Sequence, residues 1–289
     1  MGQIGALIRR AGLHHGERPC LIEGERHVSF REFDRLTDRL GNGLLASGLE
    51  PGDRVGVLLP NGIDCLVAYY ALAKAGLVRV GLNTRETEQN HRYKLADSQN
   101  RAVIHDGSFD ALGCERALST VDLARLAAGA PDGPCAVDRA LDAPYRLGYT
   151  GGTTGEAKAV TLTERGELAE LTAFLTDLVP GLSAEDRFLH AAPIAHASGA
   201  FFLPALARGA TNLVMAKFEP AAFIRLAVET RASMTFLVPT MLAMILEEPG
   251  LETAPLGFRR IAYGASPIAP SVLARAEALF GRIFAQTYG

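Results

Sequence analysis

The residues with the most chemistry in them lie mid-chain. From Thr150 through Gly151, Gly152, Thr153 and Thr154 to Gly155 the sequence packs three threonines and three glycines into six positions, and Lys158 follows three further on. Glycines open backbone angles closed to other residues and let a ligand approach the main chain. Threonine hydroxyls and bare N–H groups in such a turn form a concave donor surface suited to phosphate oxygens. Lys158 adds a positive charge that can steer a polyphosphate. The order is not that of the Walker A loop, where lysine stands directly after the last glycine and Ser or Thr follows it. Here Glu156 and Ala157 intervene and Ala159 comes next. A plain hairpin between two strands is the bland alternative. Hydroxyls interleaved with glycines, plus the lysine, favour phosphate binding.

Three further turns each follow a strand-like run. Residues 187–191 lead into Pro193-Ile194-Ala195-His196-Ala197-Ser198-Gly199, residues 259–263 into Gly264-Ala265-Ser266-Pro267, and residues 282–285 into Gln286-Thr287-Tyr288-Gly289. Each is built of small residues with a polar or aromatic group at its tip. His196 has small neighbours that leave room for a ligand; the plain alternative is a core histidine. Tyr288 can stack on a base without needing charge, or it packs in the sheet. Gly264 and Ala265 let a ligand lie against backbone, or they make a simple turn. Phe201-Phe202 reads as helix core.

The elements that must carry these turns are legible as alternating periods. A helix over 4–11 and a strand over 20–23 come first. Ser29 with Glu32 three later is a capping-box pattern, and Phe30, Phe33, Leu36, Leu40 and Leu44 recur at helical spacing up to Gly48. Strands at 55–59, 77–82 and 101–105 then alternate with helices at 63–74 and 86–96, a pattern of parallel pairing and right-handed crossovers. Residues 106–143 are less regular, and short helices and exposed loops are expected there. Beyond the glycine-rich turn, Thr163 caps a helix, and strands at 187–191, 211–215, 234–238, 259–263 and 282–285 alternate with helices at 199–207, 220–230, 240–247 and 270–280. In such sheets ligands sit beyond the carboxyl ends of strands.

Composition narrows the class. The chain has 289 residues, 48% hydrophobic and 21% charged, which suffices for a sizeable core, and its net charge of −3 offers no basic footprint for nucleic acid. The four cysteines, Cys20, Cys65, Cys114 and Cys135, show no metal-binding or disulfide spacing and suit a reducing, cytoplasmic setting. No signal peptide and no run of transmembrane length is visible.

Taken together, the four motifs resemble those of the adenylate-forming enzymes: acyl- and aryl-CoA synthetases, adenylation domains and luciferases. Their loop commonly reads Tyr-Thr-Ser-Gly-Thr-Thr-Gly-x-Pro-Lys-Gly-Val. This chain has Gly151 for the serine, Ala157 for the proline and Ala159 for the last glycine. The resemblance extends to Pro193, His196 and Gly199, to Gly264 through Pro267, and to Gln286, Tyr288 and Gly289. Gly52-Asp53-Arg54-Val55, Asn61 and Leu82-Asn83 are further landmarks, so it spans nearly the whole chain. The implied fold is α/β, the layered parallel-sheet N-terminal domain of these enzymes. Residues 1–289 would form an incomplete adenylation domain, with one α/β subdomain at about 51–184 and another at 185–289.

The resemblance also implies roles. Thr150, Gly151, Gly152, Thr153, Thr154, Gly155 and Lys158 would meet the phosphates of ATP. Gly264, Ala265, Ser266, Gln286, Thr287, Tyr288 and Gly289 would hold the rest of the nucleotide. His196 would form the wall of the acyl pocket and the thiol entry route, and Ser198, Gly264 and Thr287 would shape that pocket. ATP, Mg²⁺ and coenzyme A would be the cofactors, with a carrier pantetheine as the alternative thiol and a homodimer as one assembly the sequence allows. No metal ligand is assigned within the chain. The family's next residues after Gly289, a Thr and a magnesium-binding Glu, then a ribose-binding Asp, an Arg and a mobile C-terminal domain with a catalytic lysine, are expected to be needed for turnover. A non-catalytic nucleotide- or acyl-binding fragment is therefore the main rival, and an unrelated P-loop NTPase is disfavoured by the lysine spacing. Residues 197–203 hold no acid that could pair an α-ammonium, so the expected substrate is a carboxylic acid without an α-amino group.

Overall fold

A computed structural model describes residues 2–108, 112–150 and 157–288. In chain order the elements are α1 (Gln3–His15), β1 (Pro19–Glu23), β2 (Arg26–Ser29), α2 (Phe30–Ala46), β3 (Arg54–Leu58), α3 (Ile63–Lys74), β4 (Val78–Gly81), α4 (Glu88–Asp97), β5 (Ala102–His105), β6 (Ala117–Ser119), α5 (Thr120–Gly129), β7 (Pro144–Thr150), β8 (Lys158–Thr163) and α6 (Glu164–Ala173). After a π-helical turn (Phe174–Leu178) come β9 (Arg187–His190), α7 (Ala197–Ala200), α8 (Phe202–Arg208), β10 (Thr211–Val214), α9 (Pro220–Glu229), β11 (Met234–Leu237) and α10 (Pro239–Leu246). A 3₁₀ turn (Leu251–Thr253), β12 (Arg260–Tyr263), α11 (Pro270–Phe280) and β13 (Phe284–Gln286) complete the chain.

Local chemistry explains these boundaries. The Ser29 hydroxyl accepts from Glu32 N at 3.1 Å and starts α2, whose Phe30, Phe33, Leu40 and Leu44 are buried. Ser119 and Asp122 form the complete reciprocal cap on α5. Thr163 Oγ1 accepts from Gly166 N at 3.2 Å at the head of α6. The helix expected over 199–207 is instead two pieces, α7 and α8. Pro204 has no N–H to donate to Ala200, and its ring would crowd that carbonyl, so α7 ends at Ala200 and α8 starts anew at Phe202 with Pro204 in its first turn. The last strand lies at 284–286 rather than 282–285. Gly281, with φ of 77°, ends α11, and a turn from Ile283 N to Gly281 O uses up the first residues. β2 was not expected; Gly24, with φ of 56°, turns the chain so that 26–29 follow β1 as a strand.

Two compact units result, Met1–Glu17 with Ser29–Ala169, and Arg18–Val28 with Glu170–Gly289. The first holds a six-stranded sheet in the order β6-β5-β3-β4-β7-β8. Its pairs are parallel except β7 with β8, which are antiparallel. The second holds a seven-stranded sheet in the order β13-β12-β11-β9-β10-β1-β2. In it β13, β12, β11, β9, β10 and β1 run parallel. Phe188, Phe201, Phe223 and Phe236 lie in its core, each at about 1% exposure. The chain steps from β9 to β10 on one side, then crosses back to β11 on the other. Strand order thus reverses at β9, and its carboxyl end faces the crevice where α/β sheets bind ligands. The same reversal occurs at β3 in the first unit, flanked by β4 and β5.

Candidate functional site

In the second unit the motif turns all leave the carboxyl edge of the sheet. After β9 the chain makes two tight bonds, His196 N to Pro193 O at 3.1 Å and Gly199 N to His196 O at 3.0 Å. These set an exposed His196 at the start of α7. Gly199 is dictated by contact: a Cβ there would lie 2.1 Å from Ile194 O, a backbone atom that cannot swing aside. The three marked residues of this motif therefore serve one shape. Pro193 opens the turn, His196 stands at its tip, and Gly199 lets the turn close.

Beneath that turn lies a buried polar chain that sequence reading did not anticipate. Ser198, predicted to shape a substrate pocket, is fully buried, and its hydroxyl lies 3.1 Å from His190 Nδ1. His190 Nε2 is 2.9 Å from Asn212 Oδ1, and Asn212 Nδ2 donates to Cys20 O at 3.3 Å. The Asn212 amide donates to a carbonyl, so its oxygen faces His190, and Nε2 carries the imidazole hydrogen. Nδ1 is then the acceptor for the Ser198 hydroxyl. Burial pushes the His190 pKa down to about 4, against the opposing pull of Asn212 Oδ1 and of the Ser198 backbone carbonyl, which also lies 3.1 Å from Nδ1. The imidazole is therefore a neutral bolt joining β9, β10, β1 and α7. The one sequence signal was a histidine and an asparagine inside otherwise apolar strands, at Phe188-Leu189-His190 and Asn212-Leu213-Val214.

The other two turns meet on adjacent strands. Tyr263 of β12 is in register with Gln286 of β13, and Thr287 N donates to Tyr263 O at 2.8 Å. A Cβ on Gly264 would lie 2.2 Å from Thr287 Oγ1 and 2.7 Å from Thr287 O, so glycine is what allows the two strand ends to touch. Ala265 has φ of 69°, a left-handed conformation unusual for alanine and concentrated at functional turns. Ala265, Ser266 and Gln286 are exposed, and the Tyr288 ring stands fully in solvent at 105% relative exposure. The structure thus brings Gly264, Ala265 and Ser266 together with Gln286, Thr287 and Tyr288. β11 separates them from the β9 turn that bears His196.

In the first unit, β7 and β8 form the hairpin that carries the glycine-rich connection. Thr150 is in register with Lys158, both are exposed, and Thr150 Oγ1 lies 3.5 Å from Lys158 O. The hairpin reading therefore holds for the two strands that flank the glycine-rich connection. Gly151, Gly152, Thr153, Thr154, Gly155 and Gly289 lie outside the described residues. A groove of about 670 Å³ in this unit is lined by Gly52, Arg54, Gly76, Gln99, Arg139 and Pro144 among others. It opens at the amino ends of β3, β4 and β7, the edge opposite the predicted phosphate turn, and holds none of the predicted site residues. Among the described residues no group of three or more His, Cys, Asp or Glu is placed to hold a metal, and no helix is long and apolar enough to cross a membrane.

Two largely parallel sheets with small-residue turns at their carboxyl edges define an α/β domain of the kind that binds ligands at strand ends. The chain belongs to the AMP-binding enzyme family, which it matches over residues 8–289. It is 32% identical over 313 residues to the medium/long-chain-fatty-acid–CoA ligase FadD8 of Mycobacterium tuberculosis, covering 99% of this chain and 53% of the relative. It is 34% identical over 289 residues to a feruloyl-CoA synthase of an Amycolatopsis species, covering 98% of this chain and 58% of the relative. The chain thus spans about half the length of the curated relatives it matches. Among solved structures, the N-terminal domain of FACL13 from Mycobacterium tuberculosis has the same fold, with a TM-score of 0.89 at 24% identity over 100% of this chain and 76% of that one. The o-succinylbenzoate CoA synthetase of Bacillus subtilis, solved with its product analogue, gives a TM-score of 0.88 at 26% identity over 98% of this chain and 58% of that one.

Proposed function

We propose that the whole protein activates a carboxylic acid with ATP and passes the acyl group to coenzyme A. The observation that carries this reading is the set of turns at strand ends within a chain of the AMP-binding family. In the first step a carboxylate oxygen attacks the α-phosphorus of ATP, and the bond to pyrophosphate breaks. In the second the thiol sulfur attacks the acyl carbon, AMP leaves, and the thiol proton goes to solvent. Neither step needs a protein nucleophile; both need reacting groups positioned and growing charge neutralised.

In this reading the turns take the roles that the family's motifs assign. Thr150, the turn 151–155 and Lys158 supply donors and charge for the polyphosphate. Gly264, Ala265 and Ser266 offer backbone close to the base, beside Gln286 and Thr287, and the exposed Tyr288 ring is free to stack on it. His196 borders the acyl group and the entry of the thiol. Ser198 supports that turn from below, since its hydroxyl is spent on His190. Magnesium enters as part of the MgATP substrate, and the described residues supply no acidic cluster to hold it separately. The relatives are named for fatty acids, ferulate, indoleacetate and succinylbenzoate, which favours coenzyme A over a carrier protein as acceptor. Residues 197–203 carry no acid, which supports an acid lacking an α-amino group. The free thiols, three of them buried, suit a reducing cytoplasm.

The test is isotope exchange between pyrophosphate and ATP by the full-length protein over a panel of fatty, aromatic and amino acids. Exchange with fatty or aromatic acids supports the reading. ATP binding without exchange would make the protein a non-catalytic binder, and exchange with amino acids alone would overturn the substrate class.

A further inference from the structure

One helix of the first unit holds both ends of the glycine-rich connection. α4 packs closely on β3 because Gly56 has no side chain; a Cβ there would lie 2.5 Å from Leu95 Cδ2. At its amino end the Thr87 hydroxyl accepts from Asn90 N at 3.3 Å, and His91 Nε2 lies 2.9 Å from Asn83 O, in the turn after β4. At its carboxyl end Arg54, the first residue of β3, donates from Nε to Ser98 O at 3.0 Å and from Nη2 to Gln99 O at 2.9 Å. The helix is thereby fixed at both ends to the central strands of its own sheet.

From this anchored helix two grips reach the hairpin. On the outgoing strand, Tyr149 donates its hydroxyl to Asp97 Oδ2 at 2.6 Å, and the same oxygen lies 3.1 Å from Lys94 O. The Lys94 ammonium stands 5.5 Å from the Tyr149 ring centroid and is itself held by Glu86 at 2.5 Å. Burial, then the bond to Asp97, raises the Tyr149 pKa, so its hydroxyl remains a donor. On the returning strand, Tyr93 donates to Ala157 O at 3.0 Å, one residue before β8. Tyr93 and Asp97 stand four apart on α4, so one helical face serves both feet. An isolated two-stranded hairpin is marginal in water. Here Tyr149 and Ala157 are each tied to a helix that is itself hydrogen-bonded at both ends to its neighbours in the unit.

We propose that α4 is a clamp that sets the spacing and tilt of the hairpin's two strand ends at Tyr149 and Ala157, with Tyr93 and Asp97 as the positioning residues. What the turn binds rests on the function proposed above; the clamp itself rests on the contacts just described. The test uses the full-length protein, with amide hydrogen exchange read at the feet and magnesium ATP as the binding probe. Tyr93→Phe should speed exchange at Lys158–Val160 about fivefold, the equilibrium worth of one net hydrogen bond, and Tyr149→Phe should do the same at Gly148–Thr150. Each should weaken magnesium ATP binding several-fold while leaving Tm near wild type. Asp97→Asn, which keeps an acceptor, should bind like wild type, whereas Asp97→Ala should not. Unchanged exchange at both feet overturns the clamp, whether or not ATP binds. Loosened feet with unchanged ATP affinity overturn the positioning role. Loosened feet in a chain that never binds ATP support the clamp and instead overturn the reading of the turn as a phosphate site.

Discussion

The sharpest demands on this protein fall on single residues packed where no substitute fits. Gly199 is one. A methyl group there meets Ile194 O at 2.1 Å, a backbone atom, and the methyl itself has no rotamer by which to escape. Gly199→Ala should therefore destabilise the second unit by about 2–3 kcal/mol and displace the His196 turn, because strain of this kind is among the few mechanisms that give large effects. A chemical denaturation midpoint equal to wild type would contradict this. His190 makes a second demand, through acid. Folded, it takes a proton only near pH 4; unfolded, it does so near 6.5. Between those values the unfolded chain binds more protons, so stability falls as pH falls, by about 3 kcal/mol from pH 6.5 to 4. Asp186 acts lower. Burial alone would raise its pKa, but bonds from Arg259, Ser183 N and Ser233 outweigh this and hold it below 3.8, so its loss begins under that value. In unfolding titrations His190→Gln should flatten the slope between pH 6.5 and 4 and leave the steeper acid limb in place. An unchanged slope would mean that some other group carries it.

Among the elements, α2 and α3 are joined by a buried ion triad. Lys74 Nζ lies 2.5 Å from Asp34 Oδ1 and 2.8 Å from Asp38 Oδ1, and Asp38 Oδ1 also accepts from Cys135 N at 3.0 Å. The Lys74 side chain is wholly buried. Lys74→Met should cost about 3–5 kcal/mol, because two carboxylates lose their cation inside the protein. Adding Asp34→Asn and Asp38→Asn to it should recover part of that loss in urea titrations. The elements also show how far sequence could be read. Period and capping placed α2, α3, α9, α10 and α11 to within a few residues, because those signals are local. The three motif turns of the second unit were legible for the same reason: each is a run of small residues beside a strand. β2 was missed although β1 was read, and the His190–Asn212–Cys20 chain was not legible, since its partners come from strands far apart in sequence. The break at Phe201, set by Pro204 three residues on, was locally readable, but the apolar period across 199–207 concealed it.

At the scale of the whole molecule, the second unit is discontinuous, taking residues 18–28 from early in the chain. A fragment of residues 170–289 would leave β10 without β1, exposing the strand edge that β1 covers, and Asn212 without the Cys20 carbonyl. Exposed strand edges invite pairing with other chains. That fragment is expected to aggregate, and one with residues 18–29 joined ahead of it through a flexible linker should stay monodisperse in light scattering. Equal behaviour of the two would show that the early hairpin is dispensable.

The same arrangement sets a clock on synthesis. Cys20 and its partner Asn212 are 192 positions apart, so the ribosome must add nearly two hundred residues after β1 before β10 exists to receive it. At about 5–20 residues per second that is roughly 10–40 seconds. For this interval the nascent hairpin has no sheet to join, while the strands of the first unit emerge and pair around it. Chaperone capture of stalled chains should therefore be strongest for lengths that include β1 but stop short of β10.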